Sequence, residues 1–334
     1  MKPIALDAMG GDAMPAAAVT GAKAAAAAGI PVVLVGDERA LRAELERQHT
    51  DLPVHHAPDT IRMEDHAADV RRRKDSSVMQ AMRLVKDGAA SACVSVGHSG
   101  ATMAAALFVL GRLKGVERPA ILANIPTNRG FSALIDAGAN ADCRPSHLQQ
   151  FAVMGSVYAQ VFYDLPNPTV GLISLGEEAE KGNELTRETH RLLKNTPGIV
   201  FYGNVEGRDL LRGTTDVIVA DGFTGNVMLK LAEGEAKVIF GWVRDALAGG
   251  SWLTKLGAAL VRPALQGIRA RLDPSEYGAQ PLLGVRSYAF IGHGASDGRA
   301  IESALKTAKR AVEADLVVKL EAGMAALSSP VIGG

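Results

Sequence analysis

The sequence has few cysteines and no recognisable metal-ligand spacing. Only two of its 334 residues are cysteine, Cys93 and Cys143, and no Cys-X-X-Cys pair occurs. A disulfide framework is therefore excluded in a chain of this length, and a structural zinc site is not expected. Both cysteines have apolar neighbours, which is typical of buried, unreactive thiols. The acidic residues are scattered without ligand spacing, so the sequence predicts neither a metal nor a cofactor.

Long hydrophobic runs are also lacking. The N-terminal MKPIALDAMGGD reaches Asp7 after only a few apolar residues, which is too short and too acidic for a signal peptide. The longest uncharged stretch, 88–111, contains serine, threonine and histidine. Its apolar part, 101–110, is half of the ~20 residues that a membrane-spanning helix requires. We therefore expect a cytoplasmic protein that does not cross the membrane.

Net charge of either sign is missing, because 36 Lys and Arg residues balance 36 Asp and Glu residues. A nucleic-acid-binding surface covering the whole protein normally needs a basic excess, so no nucleic-acid partner is expected. Apolar residues make up 47% of the chain and charged residues 22%, as in soluble globular proteins. A chain of about 300 residues buries enough surface for a stable core. We expect one α/β catalytic domain over 1–330, in one or two lobes.

Short β-branched runs alternate with longer segments rich in alanine and leucine. The runs predict strands at 3–7, 31–35, 92–96, 120–125, 169–174, 199–202, 216–220 and 288–291. The longer segments predict helices at 15–28, 38–48, 76–86, 101–110, 145–162, 178–193 and about 299–325, and a core-packed helix at 225–246. This alternation indicates an α/β fold with three α/β/α layers and a mainly parallel sheet. Segment 250–273 breaks the alternation and predicts an amphipathic helical hairpin.

Four glycine-containing loops follow predicted strands: DAMGGD (7–12), GHSGA (97–101), GEEAEKGNE (176–184) and DGFTGN (221–226). Parallel sheets bind ligands at the carboxyl ends of their strands, and a glycine turn before a helix presents unpaired N–H groups to an anion. No loop is a nucleotide fingerprint, and any one of them alone is more often only a turn. The residues that we expect to bind or orient phosphate are Gly10, Gly11, His98, Ser99, Gly225, Asp7 and Asp221.

Several of these loop residues also have simpler interpretations. Lys181 is either a cation for phosphate or a developing oxyanion, or an exposed lysine that balances the surrounding glutamates. Ser99 does not lie in a Gly-X-Ser-X-Gly motif, which disfavours a hydrolase-like nucleophile. His98 and His293 have small neighbours and are either acid/base groups or ordinary loop histidines.

Seven segments together resemble one family. They are ALDAMGGD (5–12), RKDSS (73–77), GANAD (138–142), GEEAEKGNEL (176–185), GNVEGRD (203–209), DGFTGNVMLK (221–230) and LLGV (282–285). They run in order through nearly the whole chain, and the pair DAMGGD and DGFTGN is far more specific than any single glycine loop. The sequence therefore resembles the bacterial phosphate acyltransferase family of phospholipid synthesis (PlsX).

The resemblance implies transfer of a fatty acyl group from acyl-acyl-carrier protein to inorganic phosphate. It also implies a homodimer with a fold similar to isopropylmalate dehydrogenases and phosphotransacetylases, and catalytic roles for Lys181 and Asn226. Loop 97–101 departs from the family's common GNTGA by having His98 and Ser99, and the family's YGGA is YGAQ at 277–280. A thioester is already activated, so we expect phosphate to attack it directly, without an enzyme nucleophile.

Two basic patches hold eight basic residues and no acidic residue. The first patch, Arg71, Arg72, Arg73 and Lys74, either docks an acidic acyl carrier protein or is a solvated helix start. The second patch, 251–272, predicts two short amphipathic helices joined at Pro263. These helices either contact an anionic membrane surface or pack on a dimer partner. The resemblance favours peripheral contact with the inner face of the membrane, through Trp252, Leu253, Leu256 and Leu260.

Two other functions remain as alternatives at the level of sequence. A dehydrogenase of similar fold is disfavoured because no dinucleotide fingerprint is present. A non-enzymatic membrane scaffold is disfavoured because it leaves the DAMGGD and DGFTGN motifs without a purpose.

Overall fold

Strands and helices alternate along the computed structural model, which describes residues 1–272 and 278–328. The strands are β1 (Ile4–Asp7), β2 (Val32–Gly36), β3 (Val54–His56), β4 (Ala92–Ser95), β5 (Ala120–Thr127), β6 (Gly130–Ile135), β7 (Thr169–Ile173), β8 (Val200–Val205), β9 (Val217–Val219), β10 (Ala279–Leu283) and β11 (Tyr288–Gly292). The helices are α1 (Ala16–Ala27), α2 (Glu38–Arg47), α3 (Ser77–Lys86), α4 (Ser99–Val109), α5 (Pro145–Phe162), α6 (Glu184–Lys194), α7 (Asp209–Arg212), α8 (Gly222–Gly249), α9 (Trp252–Leu272), α10 (Gly298–Glu313) and α11 (Leu316–Ser328). A 3₁₀ helix spans Ala67–Arg71.

The strands form one sheet in the order β3-β2-β1-β4-β11-β10-β5-β6-β9-β7-β8. Strands β1, β2, β3, β4 and β11 are parallel to one another, and so are β6, β7, β8 and β9. Between these sets, β10 is antiparallel to β11 and β5, and β5 is antiparallel to β6. The mainly parallel α/β sheet predicted from the sequence is therefore confirmed.

The antiparallel pairings make the two parallel sets run in opposite directions. The carboxyl ends of β1, β4 and β11 form what we call the upper rim of the sheet. The carboxyl ends of β6, β7 and β9 form the lower rim, at the opposite ends of the strands. The loops that follow these strands are consequently divided between the two rims.

Helices cover both faces of the sheet, which explains why the strands are apolar on both sides. The core on one face joins the strands to α1, α5, α10 and α11, and the core on the other joins them to α3, α4 and the start of α8. The alanine-rich α1 crosses α10 closely, because a Cβ atom at Gly21 would lie 2.6 Å from Cβ of Ile301. Small residues therefore allow this pair of helices to pack.

Three strands are absent from the sequence prediction because they lack its hydrophobic signal. Strand β3 is Val-His-His, β6 begins with Gly-Phe-Ser, and β10 contains a proline. Helix α6 begins at Glu184, not at 178, because Asn183 caps it by accepting a hydrogen bond from Thr186 N. The helix predicted at about 299–325 is interrupted between α10 and α11, where Asp315 has a positive φ of 52°.

The segment that forms α8 and α9 differs most from the sequence prediction. Helix α9 continues through Pro263, which costs one backbone hydrogen bond without ending the helix, so the predicted break there is wrong. The turn lies instead at Gly250, and α9 pairs with the long α8. The expected core packing of α8 is also wrong in its second half, since Ile239 and Trp242 are 45% and 69% exposed. Among the described residues, no helix is long and apolar enough to span a bilayer.

Candidate active site

Loops after β1, β4 and β11 form one cluster at the upper rim. A Cβ atom at Gly10 would lie 2.8 Å from Oδ2 of Asp7 and 3.0 Å from Cα of Gly97, so only glycine allows this approach. Asp12 N donates a hydrogen bond to Gly294 O at 2.9 Å, which joins the third loop to the first. A Cβ atom at Gly11 would lie 3.0 Å from Gly294 O, so Gly11 also approaches this loop closely. Two of the predicted glycine loops therefore meet directly.

Asp7 lies beneath this cluster and does not face solvent. Its carboxylate accepts hydrogen bonds from Ser95 Oγ at 2.8 Å and from Met9 N at 3.4 Å. Burial raises the pKa of Asp7, while hydrogen bonds from Ser77 and Ser95 oppose that rise. Because Asp7 is enclosed, its carboxylate is bound by Ser95 and by the loop backbone and does not reach solvent.

His98 and Ser99 begin α4 at the same rim. Nδ1 of His98 accepts a hydrogen bond from Ala101 N at 3.2 Å, so His98 caps the helix through this nitrogen. Ser99 is exposed and lines a cavity together with His293. Nδ1 of His98 is thus occupied by capping, whereas Ser99 faces an open space.

The start of α8 lies at the lower rim. Asp221 caps the helix by accepting hydrogen bonds from Thr224 N and Thr224 Oγ1, both at 2.8 Å. A Cβ atom at Gly225 would lie 1.9 Å from Asp136 O, so the helix approaches loop 136–140 as closely as backbone allows. Asn226, the next residue of the helix, is exposed. A Cβ atom at Gly138 would lie 3.5 Å from Oδ1 of Asn226. The geometry therefore places the Asn226 amide beside loop 136–140.

Asp136 is a residue that the sequence analysis missed. It is fully buried, and its two carboxylate oxygens accept hydrogen bonds from five donors. These donors are Ile121 N, Gly138 N, Ala139 N, Asn140 N and Asn140 Nδ2, at 2.8–3.1 Å. Burial raises the pKa of Asp136, and the hydrogen bonds from loop 136–140 and β5 oppose that rise. The GANAD segment was the available signal, because this loop follows directly from Asp136.

Lys181 lies on the neighbouring loop of the lower rim, since β7 is the sheet neighbour of β9. The loop is fixed through its backbone. Lys181 N donates to Glu178 O at 3.0 Å, and Ser174 Oγ donates to Lys181 O at 3.2 Å. Gly182 then has a φ of +97°, a value that glycine adopts readily. The Lys181 side chain itself is exposed, so its ammonium is accessible to a ligand.

The predicted site residues therefore form two groups. Lys181, Asp221, Gly225 and Asn226 lie at the lower rim, whereas Asp7, Gly10, Gly11, His98 and Ser99 lie at the upper rim. Helix α8 spans the distance between the groups: Glu233, about 10 Å along the helix from Asn226, reaches His293 at the upper rim. The sequence does not reveal this division, because it depends on strand direction.

Glu233 is a second residue that the sequence analysis missed. Its carboxylate lies 3.3 Å from Nε2 of His293 and 2.9 Å from Nζ of Lys230. Burial raises the pKa of Glu233, but hydrogen bonds from His293 and Lys230 outweigh burial and lower it to about 2. The spacing from Asn226, two helical turns, was the only available signal.

A cavity of about 120 Å³ separates α8 from β5, β10 and β11. Its walls are mostly apolar, and its polar groups are Ser99, Asn124, Glu233, Gln280 and His293. In the part of the chain that the structure describes, no three His, Cys, Asp or Glu side chains converge to hold a metal ion. The remaining lining residues are Leu122, Ala123, Ile125, Pro126, Leu211, Leu229, Ala232, Ala236, Gly278, Ala279, Ile291 and Gly292.

The first basic patch is smaller than its sequence indicates. Arg73 forms ion pairs with Asp59 and Asp65, and its Nε donates to Asp59 Oδ2 at 2.8 Å. These carboxylates raise the pKa of Arg73 further and occupy its guanidinium, which leaves Arg73 less available to a docking partner than its neighbours. Arg71, Arg72 and Lys74 remain exposed.

The chain is similar to known proteins over nearly its whole length. A family model described as "Fatty acid synthesis protein" matches residues 2–319. A phosphate acyltransferase of Thermus thermophilus is 58% identical over 324 residues, covering 97% of this chain and 99% of the relative. One from Pelotomaculum thermopropionicum is 48% identical, covering 99% and 97%. A phosphotransacetylase structure from Streptococcus pyogenes shares the fold, with a TM-score of 0.63, 15% identity and coverage of 93% and 94%.

Proposed function

Because this chain belongs to the phosphate acyltransferase (PlsX) family of fatty acid synthesis proteins, it is an enzyme of acyl transfer to phosphate, and we propose that its donor is a long-chain acyl-acyl-carrier protein. The observation that carries this proposal is 58% identity to a phosphate acyltransferase across nearly the full length of both chains. The product is an acyl phosphate for phospholipid synthesis, and the carrier protein is released with a free thiol.

The reaction is a direct displacement at the thioester. A phosphate oxygen attacks the carbonyl carbon, a C–O bond forms, and the C–S bond breaks as the thiolate leaves with the electron pair. Because a thioester is already activated, positioning and charge stabilisation supply most of the rate enhancement. The enzyme therefore does not need to form an acyl-serine at Ser99.

Lys181 and Asn226 carry the chemistry in this mechanism. The accessible ammonium of Lys181 offsets the repulsion between phosphate and the developing oxyanion. The Asn226 amide and the N–H groups at the start of α8 bind the oxyanion or the phosphate, where the helix dipole also favours negative charge. Asp221 orients these N–H groups by capping the helix. The loops that contain Lys181 and Asn226 lie at the same rim of the sheet, which supports this assignment.

The upper-rim loops have a less direct role in this proposal. Gly10 and Gly11 provide close backbone approach beside Gly97 and Gly294, while Asp7 and His98 fix the loops from within. Loops of this kind bind an anion through backbone N–H groups. We propose that the upper-rim loops form a second phosphate-binding or orienting element, separate from Lys181 and Asn226.

The two surface patches support two further parts of the proposal. Arg71, Arg72 and Lys74 are exposed and suit an acidic acyl carrier protein. On α9, Trp252, Leu253, Leu256 and Leu260 are 55–76% exposed beside Lys255, a composition suited to an anionic membrane surface. We propose peripheral contact with the inner face of the membrane by a cytoplasmic homodimer.

Substitution of the two catalytic residues tests the mechanism. Lys181→Ala and Asn226→Ala are each expected to lower the rate of phosphate-dependent carrier release by ~10²-fold or more, as when one oxyanion donor is lost. Lys194→Ala, at the exposed end of α6, is the matched control. A folded Lys181→Ala protein with near wild-type turnover would remove this residue from the mechanism. Intact-mass measurement during turnover should find no acyl-enzyme.

A further inference from the structure

The cavity beside α8 has walls suited to a hydrocarbon. Ala123 and Ile125 of β5 lie on the face of the sheet that packs against Leu229 of α8. All three line the cavity, together with Ala232 and Ala236 of α8. None of its described lining residues is a lysine or an arginine, so neither side chain supplies positive charge to its walls. At its upper end, the Glu233 carboxylate is already paired with His293 and Lys230. The walls of the cavity are therefore mostly apolar, and the carboxylate at its upper end already has partners.

The α8 wall of the cavity continues along the helix from the proposed catalytic residue Asn226. Asn226, Leu229, Glu233 and Ala236 recur at three- and four-residue spacing, which places them along one face of α8. The rise from Asn226 to Ala236 is about 15 Å. A chain whose carbonyl carbon lies at Asn226 would meet Leu229 one turn later and then reach Ala232 and Ala236.

The size of the cavity limits what it holds. Its volume of about 120 Å³ is room for about four water-sized groups. A segment of an acyl chain fits this space, whereas a whole long chain does not. The two alanines on α8 are important for this reason, because a larger side chain at either position would fill the space.

We propose that this cavity binds a segment of the saturated acyl chain of the donor, and that Ala232 and Ala236 determine which chain lengths react. The proposal rests on the proposed function and adds a chain-length-selecting site to it. A short acyl group ends before it reaches Ala232 and Ala236, whereas a long one must pass them. Selectivity between long and short donors then depends on the size of these side chains.

Bulky substitutions on α8 test this proposal. For Ala232→Phe and Ala236→Phe, kcat/KM is measured with hexadecanoyl- and butanoyl-acyl-carrier protein. The ratio of the two values should fall by about tenfold or more, since filling an apolar pocket discriminates by this amount. Ala246→Phe, an exposed alanine further along the same helix, is the matched control and should keep the wild-type ratio. Where a phenylalanine variant does not fold, Ala236→Leu replaces it.

The outcomes separate the two levels of the proposal. An unchanged ratio in folded cavity variants, or an equal change in Ala246→Phe, would overturn the chain-length site while leaving the enzyme's activity established. A wild-type protein that releases no carrier from either donor would instead contradict the proposed function itself.

Discussion

At the scale of single residues, the lower rim depends on a buried carboxylate. Asp136 joins β5, through Ile121 N, to the loop that packs against the start of α8. Asn140 then accepts a hydrogen bond from Gly222 N at 2.8 Å, so the contact continues into the helix that carries Asn226. Asp136 does not face a ligand in this arrangement. We expect it to act as a positioning residue for the Asn226 amide.

Asp136→Asn tests this positioning role. The amide places an N–H₂ group against backbone donors, leaving buried hydrogen-bonding groups unsatisfied at a cost of about 1–3 kcal/mol in unfolding free energy. We expect lower stability in urea and a kcat at least about tenfold lower, as is typical when a catalytic group is displaced. The exposed Asp142→Asn, in the same segment, is the control. Lost stability with unchanged kcat in the folded fraction would make Asp136 purely structural.

Asp136 and Arg73 also show why sequence alone identifies only part of the site. Lys181 and Asn226 are predicted to be catalytic because they lie in motifs that resemble a family. In the sequence, Asp136 is indistinguishable from an ordinary acidic residue of a loop. Its burial depends on contact with β5, fifteen positions earlier in the chain. In the sequence, Arg73 is one of a run of basic residues. Its partners Asp59 and Asp65 precede it on another loop, so the ion pairs have no local signal. Residue roles set by tertiary contacts have no local signature.

Among the elements, α8 and α9 bear both the proposed catalytic Asn226 and the exposed apolar surface. The first turns of α8 hold Asn226 and the cavity wall, and its second half leaves the sheet to pair with α9. The periodicity predicted a helix correctly, but the same periodicity does not distinguish a core face from an exposed apolar face. Trp242 and Trp252 are consequently 69% and 72% exposed. Such a surface is larger than isolated exposed apolar residues and suits a membrane.

Liposome flotation tests the assignment of α9 to a membrane surface. Leu256→Glu and Leu260→Glu place a carboxylate on its apolar face, so both should abolish flotation with vesicles that contain anionic phospholipid. Val318→Glu on α11, where the valine is 60% exposed, is the matched control and should float as the wild type does. Flotation that persists in both leucine variants, or that ignores lipid charge, would contradict membrane contact through α9.

At the scale of the whole molecule, the reversal of strand direction governs the arrangement. The alternation of elements along the chain predicts the α/β class and the parallel sets, but the hairpin of β5 and β6 turns one set against the other. Charge is unevenly distributed in a similar way. The neutral total contains an exposed basic group, Arg71, Arg72 and Lys74, suited to an acidic carrier protein.

Ionic strength tests that use of charge. Electrostatic steering weakens with salt, so KM for acyl-acyl-carrier protein should rise steeply as salt is added. Substituting Arg71→Ala together with Arg72→Ala should raise KM at low salt and flatten the salt dependence, while kcat changes little. Arg39→Ala, an exposed arginine on α2, is the control and should retain the wild-type salt dependence. A dependence identical in the double variant would exclude this patch from docking.

Phosphate is the acyl acceptor of this enzyme family, and analysis of the reaction product shows whether this protein uses it. Wild-type protein is incubated with hexadecanoyl-acyl-carrier protein and ³²P-labelled inorganic phosphate, and the lipid product is separated and treated with hydroxylamine. We expect a labelled acyl phosphate that forms in proportion to released carrier, is destroyed by hydroxylamine, and is absent without phosphate. Carrier release at the same rate without phosphate, with free fatty acid as the product, would contradict it.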